Sequence, residues 1–324
     1  MDHNGIINEL LKDELKIFEE YLMDSVKTDN PRISEMIQYV FKSNGKRLRP
    51  ILVLMTAKAV GNITKETYHG ATTVELLHTA TLVHDDVVDN SDMRRGQSSV
   101  NFVYDNTKAV LLGDYLLSSS LAESVKTNNL KIIDLVSKLG KQLAEGELEQ
   151  YILSNKAIID EDAYFMVINK KTSLLIQSSM MIGALTAGAN DQQLEKFRQL
   201  GEKLGIGFQI RDDIFDYFND DVGKPTGNDI REGKITLPLI YALNNAPQSA
   251  AVEMKQIISN RDYTPENVEA LIKFAKDYKG IYYANSKIEQ LMCEAEVMIK
   301  DFDISDDIKD ALTFLLSYMK NRTY

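Results

Sequence analysis

Residues 75–89 read ELLHTATLVHDDVVD, a run of apolar residues that ends in three aspartates. Its apolar positions recur at spacings of three and four, the repeat of a helix with one apolar face: Leu76, Ala80, Val83 and Val87. The same spacing continues along most of the chain, whereas the alternation typical of strands is scarce. The 17 Gly and 6 Pro are about 7% of the chain against a usual share of roughly 12%, so we expect few turns and long helices.

The helical pattern extends over the chain without an internal repeat, a low-complexity tract or a break in composition. A length of 324 residues fits one large domain or two smaller ones. The sequence predicts an all-α protein with one domain over residues 1–324, whose long helices surround a common core. The clearest candidate helices are Leu76–Asp89, Ala109–Val125, Ile132–Leu153, Tyr164–Ala187 and Leu194–Tyr217.

Composition and charge exclude several classes of protein. The 37 Lys and Arg against 48 Asp and Glu give a net charge of −11, which argues against a nucleic-acid partner because such a protein needs a positive face. Cys293 is the one cysteine, so a disulfide framework and a multi-Cys metal site are excluded, and we expect it to be a packing residue. Residues 1–4 lack the basic start of a signal peptide, which predicts a cytoplasmic protein.

Residues 172–190 carry no charge and are nearly long enough to cross a bilayer. Hydroxyl and amide side chains interrupt this stretch, together with Gly183 and Gly188. An uncharged helix that is rich in small polar residues is typical of the interior of a globular protein. We therefore expect a buried helix and no transmembrane segment.

Two aspartate clusters of the form DDxxD are the strongest chemical signal, DDVVD at 85–89 and DDIFD at 212–216. On a helix, residues four apart share a face, and like charges at that spacing are destabilising. A cation from outside the chain would relieve this repulsion, and carboxylate oxygens suit Mg²⁺, which also shares phosphate oxygens. The predicted metal-binding residues are Asp85, Asp86, Asp89, Asp212, Asp213 and Asp216.

The acidic residues have two other interpretations. One cluster alone is more often a solvated acidic face or an extended helix cap, but two copies beside apolar residues make coincidence less probable. A di-iron bundle needs Glu-x-x-His pairs on two different helices. The pairs Glu66/His69 and Glu75/His78 lie nine residues apart, so on one helix they would face opposite ways. A di-iron site is therefore disfavoured.

Basic residues accompany the aspartates in this acidic chain. GKRLRP at 45–50 places three cations before a helix start marked by Pro50, and a helix N-terminus favours anions. Any one of these cations is usually just solvated, but cations grouped near carboxylates imply a ligand that bridges both. A diphosphate with Mg²⁺ meets that description. The other cations of the set are Arg94, Arg95, Lys171, Lys224 and Lys234.

These motifs resemble those of the trans-isoprenyl diphosphate synthases, the polyprenyl synthetase family, and in particular its long-chain members. The matching stretches are GKRLRP at 45–50, ELLHTATLVHDDVVDNSDMRRG at 75–96, GD at 113–114, KT at 171–172, GFQIRDDIFD at 207–216 and GKPTGNDIREGKITLP at 223–238. They follow the family's order over roughly residues 40–240 and are highly specific, while the segment after about 240 carries none. The resemblance implies the isoprenoid synthase type I fold, one large helical bundle around a central substrate cavity.

The resemblance also implies roles for individual residues. Both aspartate clusters would bind three Mg²⁺ that hold an allylic diphosphate, which is also contacted by Arg94, Lys171, Gln209, Lys224 and Lys234. Isopentenyl diphosphate would be held by Lys46, Arg49, His78 and Arg95. Thr172 and Gln209 would turn oxygens toward the reacting carbons. The implied catalytic residues are Asp85, Asp86, Asp89, Lys171, Thr172, Gln209 and Lys224.

The implied reaction is a successive head-to-tail condensation. Magnesium and cationic side chains stabilise the charge growing on the leaving diphosphate, so that the allylic C–O bond ionises. The site must exclude water, which would otherwise trap the carbocation. The double bond of isopentenyl diphosphate then attacks and a proton is lost.

The residues one helical turn before the first aspartate cluster bear on product length. Ala80 and Thr81 lie five and four positions before Asp85, where family members with short products carry bulky aromatic residues. Small side chains there leave a tunnel open, and one helical turn is comparable in length with one isoprene unit, so we expect roughly six or more units, about C30 or longer. The alternative is that both residues only permit helix packing.

Other functions remain open at this point. A farnesyl or geranylgeranyl diphosphate synthase would use the same chemistry for a shorter product. A terpene cyclase typically lacks the second intact cluster and the GKRLRP segment, and a non-catalytic subunit would be expected to lose aspartates. The chain could also be the catalytic subunit of a heterodimer, although a homodimer is expected from the family and from the frequency of two-fold assemblies.

Overall fold

The structure is a computed structural model that describes residues 5–42, 45–218 and 226–321. Sixteen α-helices, one π-helical turn and a two-stranded ribbon make up the regular structure of these ranges, which confirms the predicted all-α class. The first helices are α1 Gly5–Ser25, α2 Pro31–Lys42, α3 Leu48–Val60, α4 Lys65–Val88, α5 Val100–Tyr104, α6 Asn106–Lys126, α7 Leu130–Lys156 and α8 Glu161–Ile168. The π-helical turn Asn169–Ser173 precedes α9 Leu174–Thr186, α10 Asp191–Phe215, α11 Asn228–Arg231, α12 Leu237–Asn245, α13 Gln248–Asn260, α14 Pro265–Asp277, α15 Gly280–Lys300 and α16 Asp306–Asn321.

The chain forms two compact units, each built from segments that are distant in sequence. The first unit contains residues 1–140, 175–201 and 303–311, and the second contains residues 141–174, 202–302 and 312–324. The predicted domain over residues 1–324 stays a prediction.

In the first unit, α4 packs against α1, α3 and α6. Residues 50–57 of α3 are all buried, as are residues 70–78 of α4. The uncharged helix α9 is buried over most of its length, as its composition predicts. Gly183 of α9 lies against the carbonyl of Val53, where any side chain would clash, so glycine is what lets these two helices approach closely. No helix of the described residues is long and apolar enough to span a membrane.

In the second unit, α12 packs against α14 and α15. The core here contains the fully buried ring of Tyr217 and aliphatic side chains of α12, α13 and α14, such as Leu243, Ile258 and Leu271. The Tyr217 hydroxyl lies 2.9 Å from the Thr236 hydroxyl just before α12. This bond ties the segment after α10 to the start of α12.

Several expectations about local structure need correction. The predicted helix Tyr164–Ala187 is divided into α8, the π-helical turn and α9. α3 begins at Leu48, two residues before the predicted start at Pro50. Cys293 is exposed rather than packed, because Met292 and Ala295 form the buried face of α15 there and Cys293 projects from another face.

Candidate active site

The first aspartate cluster lies at the C-terminal end of α4. Asp85 and Asp86 belong to its last turn, and Asp89 follows its last residue. Carboxylates are unfavourable there because the C-terminal end of a helix already carries partial negative charge. Asp86 is buried, and its Oδ1 accepts a hydrogen bond from Nε of Arg94 at 2.8 Å. Burial raises the pKa of Asp86 above its usual value, although the Arg94 guanidinium opposes that shift.

A short hairpin presents Arg94 and Arg95. Strand β1, Met93–Arg94, pairs antiparallel with β2, Gln97–Ser98. Arg95 and Gly96 form the two-residue turn with φ values of 51° and 77°, the left-handed geometry that such tight hairpins require. Nη2 of Arg95 lies 3.5 Å from Nε2 of His78.

His78 on α4 is buried among arginines. Burial and the positive charges of Arg49, Arg95 and Arg94 hold the pKa of His78 well below its usual value, so the imidazole is neutral at physiological pH. The structure therefore groups His78, Arg49 and Arg95, three of the residues that the sequence predicts for isopentenyl diphosphate. The fourth, Lys46, lies in the segment just before α3.

Arg47 precedes α3 and makes contacts that the sequence did not suggest. Its φ of 49° is left-handed, and its Nε donates to Glu19 of α1 at 2.7 Å while its Nη1 donates to Glu75 of α4 at 2.8 Å. A small cavity in the same unit is lined by Arg47, Asp86, Arg94 and Arg95 among others. Arg47 thus links three helices beside a cationic cavity.

Ala80 and Thr81 precede the first cluster by about one helical turn, as predicted. Ala80 is fully buried, whereas Thr81 is half-buried and its hydroxyl donates to the backbone carbonyl of His78 at 2.9 Å. Both side chains are small, and their influence on product length stays a prediction.

The second aspartate cluster lies at the C-terminal end of α10. Asp212 and Asp213 belong to its last turn, and Asp216 follows its last residue, Phe215. Asp216 accepts hydrogen bonds from the backbone N–H groups of Asn228 at 2.9 Å and Asp229 at 3.0 Å. Both clusters therefore occupy the helix end at which carboxylates are least favourable.

Asp213 is buried and has two side-chain donors. The Tyr164 hydroxyl donates to Oδ2 at 2.6 Å, and Nε2 of Gln209 donates to Oδ1 at 2.8 Å. Burial, together with the charges of Asp212 and Asp216, raises the pKa of Asp213 to about 6, although the two donors oppose the shift. A divalent cation near these carboxylates would relieve their mutual repulsion.

Thr172 and Lys171 lie in the π-helical turn, an irregularity that is frequent at functional sites. The Thr172 hydroxyl donates to Oε1 of Gln209 at 2.6 Å. Gly205, one turn before Gln209 on α10, lies so close to Ser173 that a side chain would not fit between them. This close packing places Gln209 beside Thr172.

A cavity of about 180 Å³ in the second unit is lined by several of the side chains described above for the second aspartate cluster and the π-helical turn. Its lining includes Tyr164, Lys171, Thr172, Gln209, Asp213 and Lys234. Nζ of Lys171 contacts Glu147 at 2.8 Å and donates to Gln150 at 2.9 Å, and Nζ of Lys234 lies 2.5 Å from Glu232. Lys224 lies outside the described residues.

Two polar residues that line this cavity were not predicted as functional. Asp229 falls within a family-like motif, and burial with the charges of Asp213 and Asp216 raises its pKa well above the usual value. Tyr164 lies 49 residues before Asp213, at the start of a run of apolar residues that indicates only a helix. No pattern in the sequence connects Tyr164 with the aspartates.

The donor set fits Mg²⁺ better than a fully protein-ligated metal. Within the described ranges, no three His, Cys, Asp or Glu side chains come together as a ready-made cation site. Mg²⁺ does not need such a cage, since it keeps several waters and is usually bound by one or two carboxylates plus substrate phosphates. The di-iron alternative is not supported, because Glu75 pairs with Arg47 and His69 contacts Glu123 at 2.6 Å.

Comparisons with known proteins identify the family of this chain. The model of the polyprenyl synthetase family matches residues 30–275. An octaprenyl diphosphate synthase of Haemophilus influenzae is 30% identical to this chain over 322 residues, which cover 98% of this chain and 97% of that protein.

Solved structures give the same assignment. A decaprenyl diphosphate synthase from Rhodobacter capsulatus has a TM-score of 0.92 at 31% identity, with 99% of both chains covered. A geranylgeranyl pyrophosphate synthase from Bacteroides thetaiotaomicron has a TM-score of 0.86 at 39% identity, covering 99% of this chain and 100% of that one. This chain belongs to the polyprenyl synthetase family and has its all-helical isoprenoid synthase fold.

Proposed function

We propose that this protein is a Mg²⁺-dependent trans-polyprenyl diphosphate synthase. It condenses isopentenyl diphosphate successively with an allylic diphosphate to give a product of roughly six or more isoprene units. The observation that carries the proposal is the position of both aspartate clusters at the C-terminal ends of helices, α4 and α10. Negative charge at those ends is unfavourable, typically by about 0.3–1 kcal/mol for each charge, and a bound cation would compensate it.

At least three of the aspartates have hydrogen-bond donors that orient their carboxylates at the ends of α4 and α10. Asp86 accepts from Arg94, and Asp213 and Asp216 each accept two hydrogen bonds from the protein. We assign Mg²⁺ binding to all six aspartates of the two clusters, and to these hydrogen bonds the task of orienting the three carboxylates that accept them. When bound, Mg²⁺ supplies positive charge that stabilises the departing diphosphate. The family's count of three ions per site is part of this proposal.

The cationic side chains serve the two substrates separately. Lys171 and Lys234 line the cavity of the second unit and, with Arg94 and Lys224, hold the allylic diphosphate. Lys46, Arg49, His78 and Arg95 hold isopentenyl diphosphate. A neutral His78 contributes one hydrogen bond there without adding to the repulsion among the arginines.

Oxygen atoms in the second cavity suit the cationic step. The Thr172 hydroxyl and the Gln209 carbonyl line the cavity and present negative dipole ends to a developing carbocation. After the double bond of isopentenyl diphosphate has attacked, the proton lost from it passes to the departing diphosphate.

A shorter product is the alternative. The octaprenyl and decaprenyl diphosphate synthases named above favour a long chain, whereas the geranylgeranyl pyrophosphate synthase favours a short one. Ala80 and Thr81 decide for the long product in this proposal, because neither fills the space beneath the first cluster as an aromatic ring would.

Product analysis tests this function. The purified chain is incubated with Mg²⁺, labelled isopentenyl diphosphate and farnesyl diphosphate, and the dephosphorylated alcohols are separated by reversed-phase chromatography. We expect all-trans alcohols of about C30 or longer. Alcohols that stop at C20 would favour the short-chain alternative, and hydrocarbons formed from farnesyl diphosphate alone would indicate a cyclase.

We further propose a homodimer. Several apolar side chains on α5 and α6 are exposed, and contiguous exposed apolar surface is typical of protein interfaces. They are Phe102, Val103, Val110, Leu111, Leu121 and Val125. Light scattering coupled to size exclusion should give twice the mass of the chain, and a monomer that is inactive alone would favour a heterodimeric enzyme instead.

A further inference from the structure

Four side chains of the second unit form one continuous chain of hydrogen bonds. It runs from the Tyr164 hydroxyl to Oδ2 of Asp213 at 2.6 Å, and from Nε2 of Gln209 to Oδ1 of Asp213 at 2.8 Å. It ends where the Thr172 hydroxyl meets Oε1 of Gln209 at 2.6 Å. All four residues line the same cavity.

The direction of every bond in this chain follows from the central carboxylate. An ionised carboxylate only accepts hydrogen bonds, so Gln209 must turn its NH₂ group toward Asp213. The carbonyl oxygen of the same amide must then face Thr172, which has to donate its hydroxyl proton. A hydroxyl whose one hydrogen is engaged in the hydrogen bond to Gln209 keeps two lone pairs for other contacts.

We propose that Tyr164 is a positioning residue that fixes Asp213, and through Gln209 makes Thr172 present lone pairs rather than a proton to the reacting carbons. This inference rests on the proposed function, because only a cationic reaction benefits from an oxygen that cannot turn its proton toward the substrate. Tyr164 touches neither substrate nor metal in this role.

Tyr164 has this role because its hydroxyl binds Oδ2 of Asp213, whereas Gln209 binds Oδ1. Tyr164 lies on α8 and Asp213 on α10, so its hydroxyl holds one carboxylate oxygen from a different helix than Gln209 does. With both oxygens held, the carboxylate plane is fixed. Without the hydroxyl, Asp213 can rotate, the Gln209 amide can turn over and the Thr172 proton is no longer directed.

The test compares Tyr164→Phe with a matched control. Tyr283→Phe removes a hydroxyl that donates to Glu161 at 2.6 Å, one turn before Tyr164 on the same helix, and leaves the chain of four intact. We expect Tyr164→Phe to lower kcat about tenfold to hundredfold, with the KM for isopentenyl diphosphate changed less than about twofold. Tyr283→Phe should keep the wild-type kcat.

A double-mutant cycle separates this role from a purely structural one. If Tyr164 acts through Thr172, the loss of kcat in Tyr164→Phe combined with Thr172→Val should be clearly smaller than the product of the two single losses. A crystal structure of Tyr164→Phe without metal or substrate gives a readout independent of turnover. It should show Gln209 Oε1 and Thr172 Oγ1 separated beyond about 3.5 Å.

Each outcome has a distinct meaning. Three results would overturn the positioning role. They are a loss of kcat in the double variant equal to the product of the two single losses, a wild-type kcat in Tyr164→Phe, and an unchanged contact between Gln209 and Thr172 in that variant. A wild-type protein that forms no prenyl product would instead contradict the proposed function, whatever the crystal structure of the variant shows.

Discussion

Asp85 and Asp212 are the first residues of the two aspartate clusters, and replacing either one tests the proposed metal role. Asp85→Ala or Asp212→Ala should lower turnover by roughly two to three orders of magnitude, because the charge of the leaving group loses its stabilisation. Circular dichroism should show the fold unchanged. Asp134→Ala is the matched control, since this exposed aspartate on α7 pairs with Lys138 on the surface. Wild-type rates in either active-site variant would refute the metal role.

Thr81 is the better position for testing product length. Ala80 is fully buried, and a large residue there risks overpacking. Thr81→Tyr places a ring on a half-buried side of α4 and should shorten the main product. Thr81→Val is the control of equal volume and should leave product length unchanged. An identical chain-length profile for Thr81→Tyr would remove the argument from small residues.

His78 should make stability depend on pH in a definite direction. Its pKa is held well below 6.5 in the folded protein, so below pH 6.5 the unfolded chain binds a proton that the folded one does not. The free energy of unfolding therefore falls with decreasing pH, by up to about 1.4 kcal/mol for each pH unit.

Urea unfolding at pH 7.5 and 5.5 measures this effect. The wild-type protein should lose more unfolding free energy between these pH values than His78→Gln, which has no proton to bind. Equal losses in the two proteins would mean that the folded environment does not suppress protonation of His78.

At the level of single residues, the sequence predicts which side chains carry the chemistry better than it predicts which residues they contact. Both DDxxD patterns and the flanking cations are local, so they can be read directly. The partners are not local: Asp213 meets Tyr164 from 49 residues away, and Arg47 meets Glu19 from 28 residues away. Such pairs depend on how helices pack, which helical periodicity does not specify.

Among the elements, α1, α3 and α4 are tied together by Arg47. The Glu75 carboxylate is buried against this guanidinium, and removing one partner of a buried pair leaves an uncompensated charge. Arg47→Ala should lower the free energy of unfolding by about 3–5 kcal/mol. Urea unfolding measures this loss.

Lys138→Ala provides the comparison for Arg47→Ala. Lys138 forms an exposed pair with Asp134, and such a pair is worth about 0–1 kcal/mol. Adding Glu75→Gln to Arg47→Ala should recover part of the lost stability, because the buried charge disappears. A loss in Arg47→Ala as small as that in Lys138→Ala would show that Arg47 does not join the three helices.

The helices themselves were predicted by type and approximate position, and their interruptions were not. Periodicity extends through residues 164–187, yet the structure inserts a π-helical turn at residues 169–173. That turn carries Lys171 and Thr172, and it packs against Gly205 of α10. The turn departs from the regular helix where it makes this tertiary contact, so rules that use only local sequence miss it.

For the whole molecule, the all-α class was predicted correctly from helical periodicity, and the family from motifs in order over residues 40–240. Beyond residue 240 the sequence has only helical periodicity to offer, and there the structure adds α13–α16. The division into two compact units has no counterpart in composition, because both units share one helical pattern. Each unit carries one aspartate cluster and its own set of cations.

The most direct test of the central claim is the metal dependence of condensation by the whole protein. The purified chain is treated with EDTA, and incorporation of labelled isopentenyl diphosphate onto farnesyl diphosphate is measured while Mg²⁺ is restored stepwise. We predict that chelation abolishes incorporation, that Mg²⁺ restores it in the wild type, and that Asp85→Ala and Asp212→Ala do not recover at the same concentrations. Incorporation that persists under chelation would refute the metal-dependent mechanism.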